Sequence, residues 1–91
     1  MVVNARRVDV HGKVQGVFYR DWTVETASAL GLKGWVRNCV DGSVEAHLQG
    51  DDAAIERMIA AMQEGPSRAS VTRVQQYLAT EEDLTGFERR D

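Results

Sequence analysis

Cysteine is almost absent from this sequence, in which Cys39 is the only one among 91 residues. A single cysteine cannot form an internal disulfide, and it provides none of the ligand spacings that are typical of metal sites. We therefore expect a protein of the reducing cytoplasm, without a cysteine-bound metal.

Long apolar runs are also missing. No stretch approaches the roughly twenty apolar residues that a membrane-spanning helix needs, and the N-terminal residues MVVNARRV contain no signal-peptide core. We therefore expect neither a membrane partner nor export. With 43% hydrophobic and 27% charged residues, the composition is typical of globular proteins, and the chain has enough residues for one domain over 1–91.

The chain also lacks an excess of positive charge. The net charge is −3, whereas a protein that binds extended nucleic acid normally has a broad basic face and a high pI. The charges are nevertheless uneven, because residues 1–40 carry six Lys and Arg against three Asp and Glu, and residues 41–91 carry five against eleven. A basic half within an acidic chain indicates a small anionic ligand.

The basic half contains the most informative stretch of the chain, Val8–Arg20, which reads VDVHGKVQGVFYR. Apolar and polar residues alternate at its start, as in a strand. Gly12 and Gly16 then allow a loop whose successive N–H groups point inward as an anion-binding nest. Arg20 follows where the loop enters a helix, and its planar guanidinium group can bind two oxygens of one phosphate. The stretch predicts an oxyanion pocket, although a surface loop with a solvated arginine has the same local pattern.

The rest of the chain predicts strands and helices in a simple order. The second helix has the clearest signal, because its apolar residues recur at i, i+3, i+4 and i+7. Asp41-Gly42 predicts a hairpin between the second and third strands. The predicted elements after the first strand, including a short closing edge strand at the end, are Asp21–Leu30, Gly34–Asn38, Ser43–Gln49, Asp51–Glu64, Val71–Leu78 and Phe87–Arg89.

This order fits an α+β, ferredoxin-like split βαββαβ sandwich, in which an antiparallel sheet of four strands has two helices on one face. The first and third strands are central in that arrangement, and the second strand pairs with the third. Asn38, at the end of the second strand, therefore need not lie far from the loop before Arg20. An asparagine just before a hairpin is by itself more typical of a turn.

Two motifs of the chain together resemble those of the acylphosphatase family. They read VHGKVQGVFYR, ending at Arg20, and GWVRNCVDGSVEAHLQG, beginning at Gly34. The resemblance extends over nearly the whole chain, but the segment after Ala79 is its least typical part and leaves the position of the last strand open. It implies that Arg20 and Asn38 are catalytic. It also implies that the phosphate is bound by backbone N–H groups of Arg20 and of Gln15, Gly16, Val17, Phe18 and Tyr19.

The implied reaction is hydrolysis of a carboxyl-phosphate anhydride to a carboxylate and inorganic phosphate. Asn38 would hold the attacking water, and since a carboxamide is no base near neutral pH, the proton would pass to the phosphate of the substrate. The resemblance implies a metal-independent reaction without a cofactor. The small size of the chain and the lack of an obvious apolar seam favour a monomer, although the sequence leaves the oligomeric state open. The partners of the protein would be an acyl phosphate as substrate and phosphate as product and inhibitor, with no nucleic acid and no membrane.

Other polar and aromatic residues are not expected to take part in catalysis. The alternation places His11 and His47 on strand faces that point outward. Cys39 has no histidine or second cysteine near it in the sequence, so it lacks the partner that an activated nucleophile needs. Trp35 is expected to cover the sheet.

A non-catalytic binding module is the main alternative, because ferredoxin-like domains have many functions. One such module would bind RNA through exposed rings of Phe18, Tyr19 and Trp35, although the net charge and the lack of an RNP-type sequence disfavour it. Another would resemble the acylphosphatase-like N-terminal module of a large carbamoyl-transferring hydrogenase-maturation factor, and it would need the rest of that large chain. The sequence does not identify the physiological acyl phosphate.

Overall fold

The computed structural model describes residues 4–91. Residues 1–3, which begin the stretch without a signal-peptide core, lie outside the described residues. In chain order the elements are β1 Asn4–Lys13, α1 Tyr19–Ala29, β2 Lys33–Asn38, β3 Val44–Gly50, α2 Asp52–Glu64, β4 Ser70–Leu78 and β5 Phe87–Arg90. Each element that the sequence pattern predicts is present, in the predicted order.

The strands form one sheet in the order β4-β1-β3-β2-β5, so that β1 and β3 are central as predicted. Ala46 of β3 lies opposite Val8 on one side and Val36 on the other, and β1 also pairs antiparallel with β4. β5 differs, because it pairs parallel with β2 and makes the sheet mixed rather than wholly antiparallel. The physical reason is that the last residue of β4 and the first residue of β2 lie at the same end of the sheet. A chain that crosses the sheet at that end enters β5 in the direction of β2.

The core lies between the helices and one face of the sheet. The apolar residues of α2 that the spacing singles out are all buried, and they pack with the inward valines and leucine of β1 and β3. Each such side chain contributes about 1.5–3 kcal/mol when fully buried. Among residues 4–91, no helix is long and apolar enough to cross a membrane.

Part of the opposite face of the sheet is covered by residues 79–86, which connect β4 to β5. Glu82 in this segment accepts a hydrogen bond from Trp35 Nε1 at 3.0 Å, and its carbonyl oxygen accepts one from Gln49 Nε2 at 2.9 Å. His47 is fully buried beneath this segment and stacks on Trp35. The expectation that His47 points outward is therefore wrong as a prediction of solvent exposure. Alternation identifies the strand face on which a residue lies, but it does not reveal that a later segment covers that face.

Candidate active site

The loop between β1 and α1 turns twice through the left-handed region of backbone conformation. Gly16 has φ +73° and Phe18 has φ +64°, with Val17 between them. Positive φ values within a loop can turn successive N–H groups toward one side, as in an anion-binding nest. Since α1 begins at Tyr19, the unpaired N–H groups of its first turn add further donors.

Phe18 stands out in this loop, because it is the one non-glycine residue of positive φ in residues 4–91. The left-handed conformation costs a residue with a Cβ about 1–2 kcal/mol. As the residue preceding α1, Phe18 provides no side-chain hydrogen bond to the helix, and it is 65% exposed. Neither the helix nor the core accounts for an aromatic residue at this position.

Two side chains hold the loop from behind. Val17 is buried in the core, and Gln15 Nε2 donates to the carbonyl oxygens of Cys39 and Ser43, both at 2.8 Å. Because Cys39 follows Asn38, the Gln15 amide ties the loop directly to the hairpin that carries Asn38. The side chains of Gln15 and Val17 are therefore engaged by the fold, and their contribution to a ligand would come from the backbone.

Tyr19 anchors the start of α1. Its side chain is almost completely buried, and its hydroxyl donates to the carbonyl oxygen of Met62 in α2 at 2.7 Å. Burial raises the pKa of the Tyr19 phenol above its ordinary value. Trp35 is also buried, so Tyr19 and Trp35 do not offer the exposed rings that the RNA-binding alternative requires.

Arg20 extends from the first turn of α1 and meets the C-terminal end of β5. Its Nη1 donates to the carbonyl oxygen of Arg90 at 3.1 Å and to Asp91 Oδ1 at 3.0 Å. Both bonds use the same nitrogen, and the guanidinium group has two further nitrogens that carry donors. Its orientation is therefore set by the protein before any anion binds.

Asn38 is the last residue of β2 and lies opposite Val44 of β3. Its Oδ1 is buried and accepts no hydrogen bond from any group in the part of the chain that the structure describes. An unsatisfied buried acceptor costs about 1–3 kcal/mol. The fold therefore holds Asn38 in place without a hydrogen bond to this oxygen.

The loop, Arg20 and Asn38 meet in one surface depression of about 250 Å³. Five of the seven predicted site residues line this depression, and the other two, Gln15 and Val17, adjoin it in the loop. The complete lining consists of Val14, Gly16, Phe18, Tyr19, Arg20, Asp21, Asn38 and Arg89.

Asp21 and Arg89 form an ion pair in this lining that the sequence did not indicate. Arg89 Nη1 lies 3.0 Å from Asp21 Oδ1, and both side chains are about half exposed. Arg89 reaches the site because β5 pairs in parallel with β2. The predicted strand Phe87–Arg89 signalled that such an element exists, but no local pattern indicated which strand it would join.

The donors of this depression suit a tetrahedral oxyanion, and the Asn38 amide suits a neutral molecule bound beside that anion. Backbone N–H groups and one permanent cation can bind the oxygens of a phosphoryl group without a change of protonation. Within residues 4–91 no cluster of three or more His, Cys, Asp or Glu side chains could hold a metal ion.

Similarity to known proteins agrees with this geometry. The model of the acylphosphatase family matches residues 6–89. The chain belongs to the acylphosphatase family. The acylphosphatase of Rhodospirillum rubrum is 49% identical over 83 residues, which cover 91% of each chain. The solved structure of an acylphosphatase from Coxiella burnetii has a TM-score of 0.93 at 36% identity and covers 97% of this chain and 93% of its own. The predicted acylphosphatase family, fold class and enzyme class are confirmed.

A further similarity concerns the alternative of a module within a larger protein. Full-length HypF, crystallised in a phosphate- and nucleotide-bound form, matches with a TM-score of 0.89 at 24% identity. The match covers 99% of this acylphosphatase-family chain but 12% of HypF. At this level of identity the likeness shows a shared fold and supports no shared role.

Proposed function

We propose that this chain hydrolyses acyl phosphates by binding the phosphoryl group of the substrate with loop 15–19 and Arg20. Asn38 positions the attacking water. Membership of the acylphosphatase family establishes the class of reaction. The assignment of residues is supported by one observation. The loop, a permanent cation and an amide with an unpartnered oxygen meet in a single depression.

Binding of the phosphoryl group is the first requirement of this reaction. The N–H groups of the loop and Arg20 donate to the equatorial phosphoryl oxygens, whose charge is stabilised as the transition state forms. Gln15 and Tyr19 hold the loop in place through their hydrogen bonds to the hairpin and to α2. These donors therefore need little reorganisation when the substrate binds.

Positioning of water is the second requirement. The side-chain amide of Asn38 holds the water, whose oxygen then attacks phosphorus in line with the acyl oxygen. The bond from water oxygen to phosphorus forms as the bond from phosphorus to the acyl oxygen breaks. The electron pair of that bond leaves on the carboxylate. A carboxamide takes up no proton near neutral pH, so the proton from water passes to a phosphoryl oxygen.

The leaving group explains why no acid is placed behind it. A carboxylate is the conjugate base of an acid whose pKa is about 4, so it departs without protonation. Asp21 is the one carboxylate in the lining, and it is paired with Arg89. We therefore assign Asp21 no proton transfer. The rate enhancement comes from positioning of the reactants and from stabilisation of charge.

Release of phosphate from benzoyl phosphate in the presence of EDTA tests this proposal. The wild-type protein should turn over, and Arg20→Ala and Asn38→Ala should each lose roughly a hundredfold or more in kcat/KM. Arg57→Ala is a matched control, because Arg57 is an exposed residue of α2 outside the depression, and it should keep the wild-type rate. Full activity in the Arg20 or Asn38 variant would contradict the assignment, and inactivation by EDTA would contradict metal independence.

We also propose that the enzyme acts as a cytoplasmic monomer without a cofactor, and that inorganic phosphate inhibits it competitively. The lone Cys39 fits a reducing compartment, and the buried rings of Tyr19 and Trp35 disfavour an RNA partner. Size-exclusion chromatography and inhibition by phosphate at several substrate concentrations check these two properties. A dimer, or noncompetitive inhibition, would contradict them.

A further inference from the structure

Gln49, near the end of β3, binds the backbone of the segment that connects β4 to β5. Its Nε2 donates to the carbonyl oxygen of Glu82 at 2.9 Å, and its Oε1 accepts from the Glu82 N–H at 2.8 Å. This pair of bonds resembles one rung of a strand ladder, with a side-chain amide in place of a backbone amide. Gln49 is 6% exposed, so its amide is largely shielded from water. Residue 82 is therefore fixed to the sheet through its backbone.

Two buried neighbours support this contact. His47 Nε2 lies 3.0 Å from Gln49 Oε1, and because that oxygen can only accept, the imidazole donates from Nε2. Trp35 stacks on His47, and its Nε1 donates to Glu82 Oε1 at 3.0 Å. Gln49 is thus held in one orientation while it binds residue 82. We call this set of four residues, Trp35, His47, Gln49 and Glu82, the clasp.

The strand that follows the clasp has few contacts of its own to fix its register. β5 has four residues, lies at the edge of the sheet and has β2 as its neighbour. So short an edge strand specifies its register weakly. Phe87 packs against the core beside Gly34, and only residues 83–86 separate Glu82 from the start of β5. Fixing Glu82 therefore limits where β5 can lie along β2.

The register of β5 matters because its far end reaches Arg20. A shift by two residues, the smallest that keeps the alternation of faces, would move that end by roughly 6.6 Å. The Arg90 carbonyl oxygen and Asp91 Oδ1 now lie 3.1 and 3.0 Å from Arg20 Nη1. Such a shift would carry both acceptors out of hydrogen-bond distance. The Arg90 guanidinium group also lies over the Trp35 ring, 4.8 Å from its centroid, so the clasp contacts both ends of this route.

We infer that Gln49 is a positioning residue for Arg20. By binding the Glu82 backbone on the opposite face of the sheet, it sets the register of β5 and thereby orients the Arg20 guanidinium group in the depression. This inference rests on the proposed function, which assigns Arg20 to the phosphoryl group. Asn38 lies outside this route, because the pairing of β2 with β3 holds it in place.

Hydrogen exchange followed by mass spectrometry tests the first step, from Gln49 to β5. Gln49→Met keeps the length of the side chain but removes both bonds to the Glu82 backbone. Amides of residues 83–91 should then exchange at least about tenfold faster than in the wild type, and by a larger factor than the amides of α2. Ile55→Val is the matched control, because it weakens the buried face of α2 without touching the clasp. Residues 83–91 should exchange at the wild-type rate in this control.

Double substitutions test the second step, from β5 to Arg20. Gln49→Met should lower kcat/KM for benzoyl phosphate roughly three- to tenfold in the wild-type background. In the Arg20→Ala background it should lower it by less than about twofold, because the group that it orients is gone. In the Asn38→Ala background the two losses should multiply. A purely structural role would lower the rate by the same factor in all three backgrounds, and that result would overturn the inference.

Gln49→Asn keeps the test independent of whether Gln49→Met folds. It retains a polar amide that is one methylene too short to reach both groups of Glu82, so it should show the same two effects. If Arg20→Ala keeps the wild-type rate, the proposed function fails, and the role of Gln49 in catalysis fails with it. If Arg20→Ala is inactive but residues 83–91 exchange alike in the wild type and the Gln49 variants, the inference alone is overturned.

Discussion

At the scale of single residues, Arg20 supplies both a charge and a plane of donors. One edge of that plane is occupied by the Arg90 carbonyl and the Asp91 carboxylate, both bonded to Nη1. The remaining nitrogens keep a defined direction because those two bonds hold the group. A lysine ammonium provides a point charge with no fork, so it could not make both sets of contacts in the same geometry.

We expect Arg20→Lys to lose more than about tenfold in kcat/KM, or ~1.4 kcal/mol of transition-state stabilisation, although the charge is retained. Steady-state kinetics with benzoyl phosphate measure this loss. Arg57→Lys on the exposed surface of α2 is the control, and it should match the wild type. Wild-type activity in Arg20→Lys would mean that charge alone suffices and that the planar fork is not used.

Substitutions of Asn38 separate water positioning from phosphate binding. Asn38→Ala removes the buried Oδ1 but leaves the loop and Arg20, so inhibition by phosphate should persist while kcat falls by about a hundredfold, ~2.7 kcal/mol. Asn38→Asp keeps the shape but adds a negative charge near the bound phosphate. At 4–6 Å and an effective dielectric near 20, two such charges repel by about 3–4 kcal/mol.

The Asp variant should therefore lose phosphate affinity as well as rate, and added salt should partly restore its binding. Inhibition constants for phosphate at two salt concentrations measure this difference between the two variants. An Asp variant as active as the wild type would show that a general base works at this position. That result would contradict proton transfer to the substrate.

At the scale of elements, β2 joins the two parts of the site. It carries Asn38 at its end, and it pairs with β5, which brings Arg89 and the Arg20 contacts into place. The place of β2 between β3 and β5 requires a glycine at position 34. A Cβ there would overlap the carbonyl oxygen of His47 and would lie 2.8 Å from the Phe87 ring. The residue that carries it would also have to adopt a φ of +154°.

Gly34→Ala should destabilise the protein by more than about 3 kcal/mol, because the clash is with backbone and cannot be relieved by a rotamer change. For a domain of this size the melting temperature should fall by more than about 10 °C. Gly42→Ala is the control, since a Cβ at Gly42 meets nothing within 4 Å and bears only the cost of its φ of +93°. Equal melting temperatures in the two variants, measured by circular dichroism, would show that β2 tolerates the displacement.

At the scale of the whole molecule, Tyr19 couples the site to the packing of the two helices. Its hydroxyl in α1 bonds the Met62 carbonyl in α2, and burial raises the pKa of the phenol. Below about pH 10 the phenol is neutral in both the folded and the unfolded chain. Above that pH the unfolded chain loses the proton while the folded chain retains it, so folding stability falls as pH rises.

The free energy of unfolding should therefore decrease above pH 10 by up to about 1.4 kcal/mol per pH unit through Tyr19. Tyr19→Phe should be less stable than the wild type at pH 8, because the Met62 carbonyl loses its donor, and the gap should narrow at pH 11. Denaturant unfolding at the two pH values measures it. Tyr77→Phe, at a half-exposed position, is the comparison variant. A constant gap for Tyr19→Phe would contradict the role of its burial.

The sequence by itself determined the features that depend on neighbours along the chain. The helical spacing of Ile55, Met58, Ile59 and Met62 specifies a buried face of α2, because residues three and four apart share one side of a helix. The order of elements then leaves few topologies, so the central position of β1 and β3 follows. The loop at Gly16 and Arg20 were identified from their local pattern, and Asn38 from the resemblance of its motif to the acylphosphatase family. Their catalytic roles remain a prediction.

Only the tertiary structure decided the features that depend on the segment after β4. The path of this segment across the sheet buries His47 and brings β5 parallel to β2. This pairing places Arg89 at the site, together with Arg90 and Asp91, whose oxygens accept the hydrogen bonds of Arg20. The local pattern of residues 79–91 does not indicate which strand β5 pairs with. A short edge strand of four residues has the same alternation beside either edge of a sheet. The exposure of the Phe18 ring was undecided for the same reason, since exposure depends on what packs against a side chain from elsewhere in the chain.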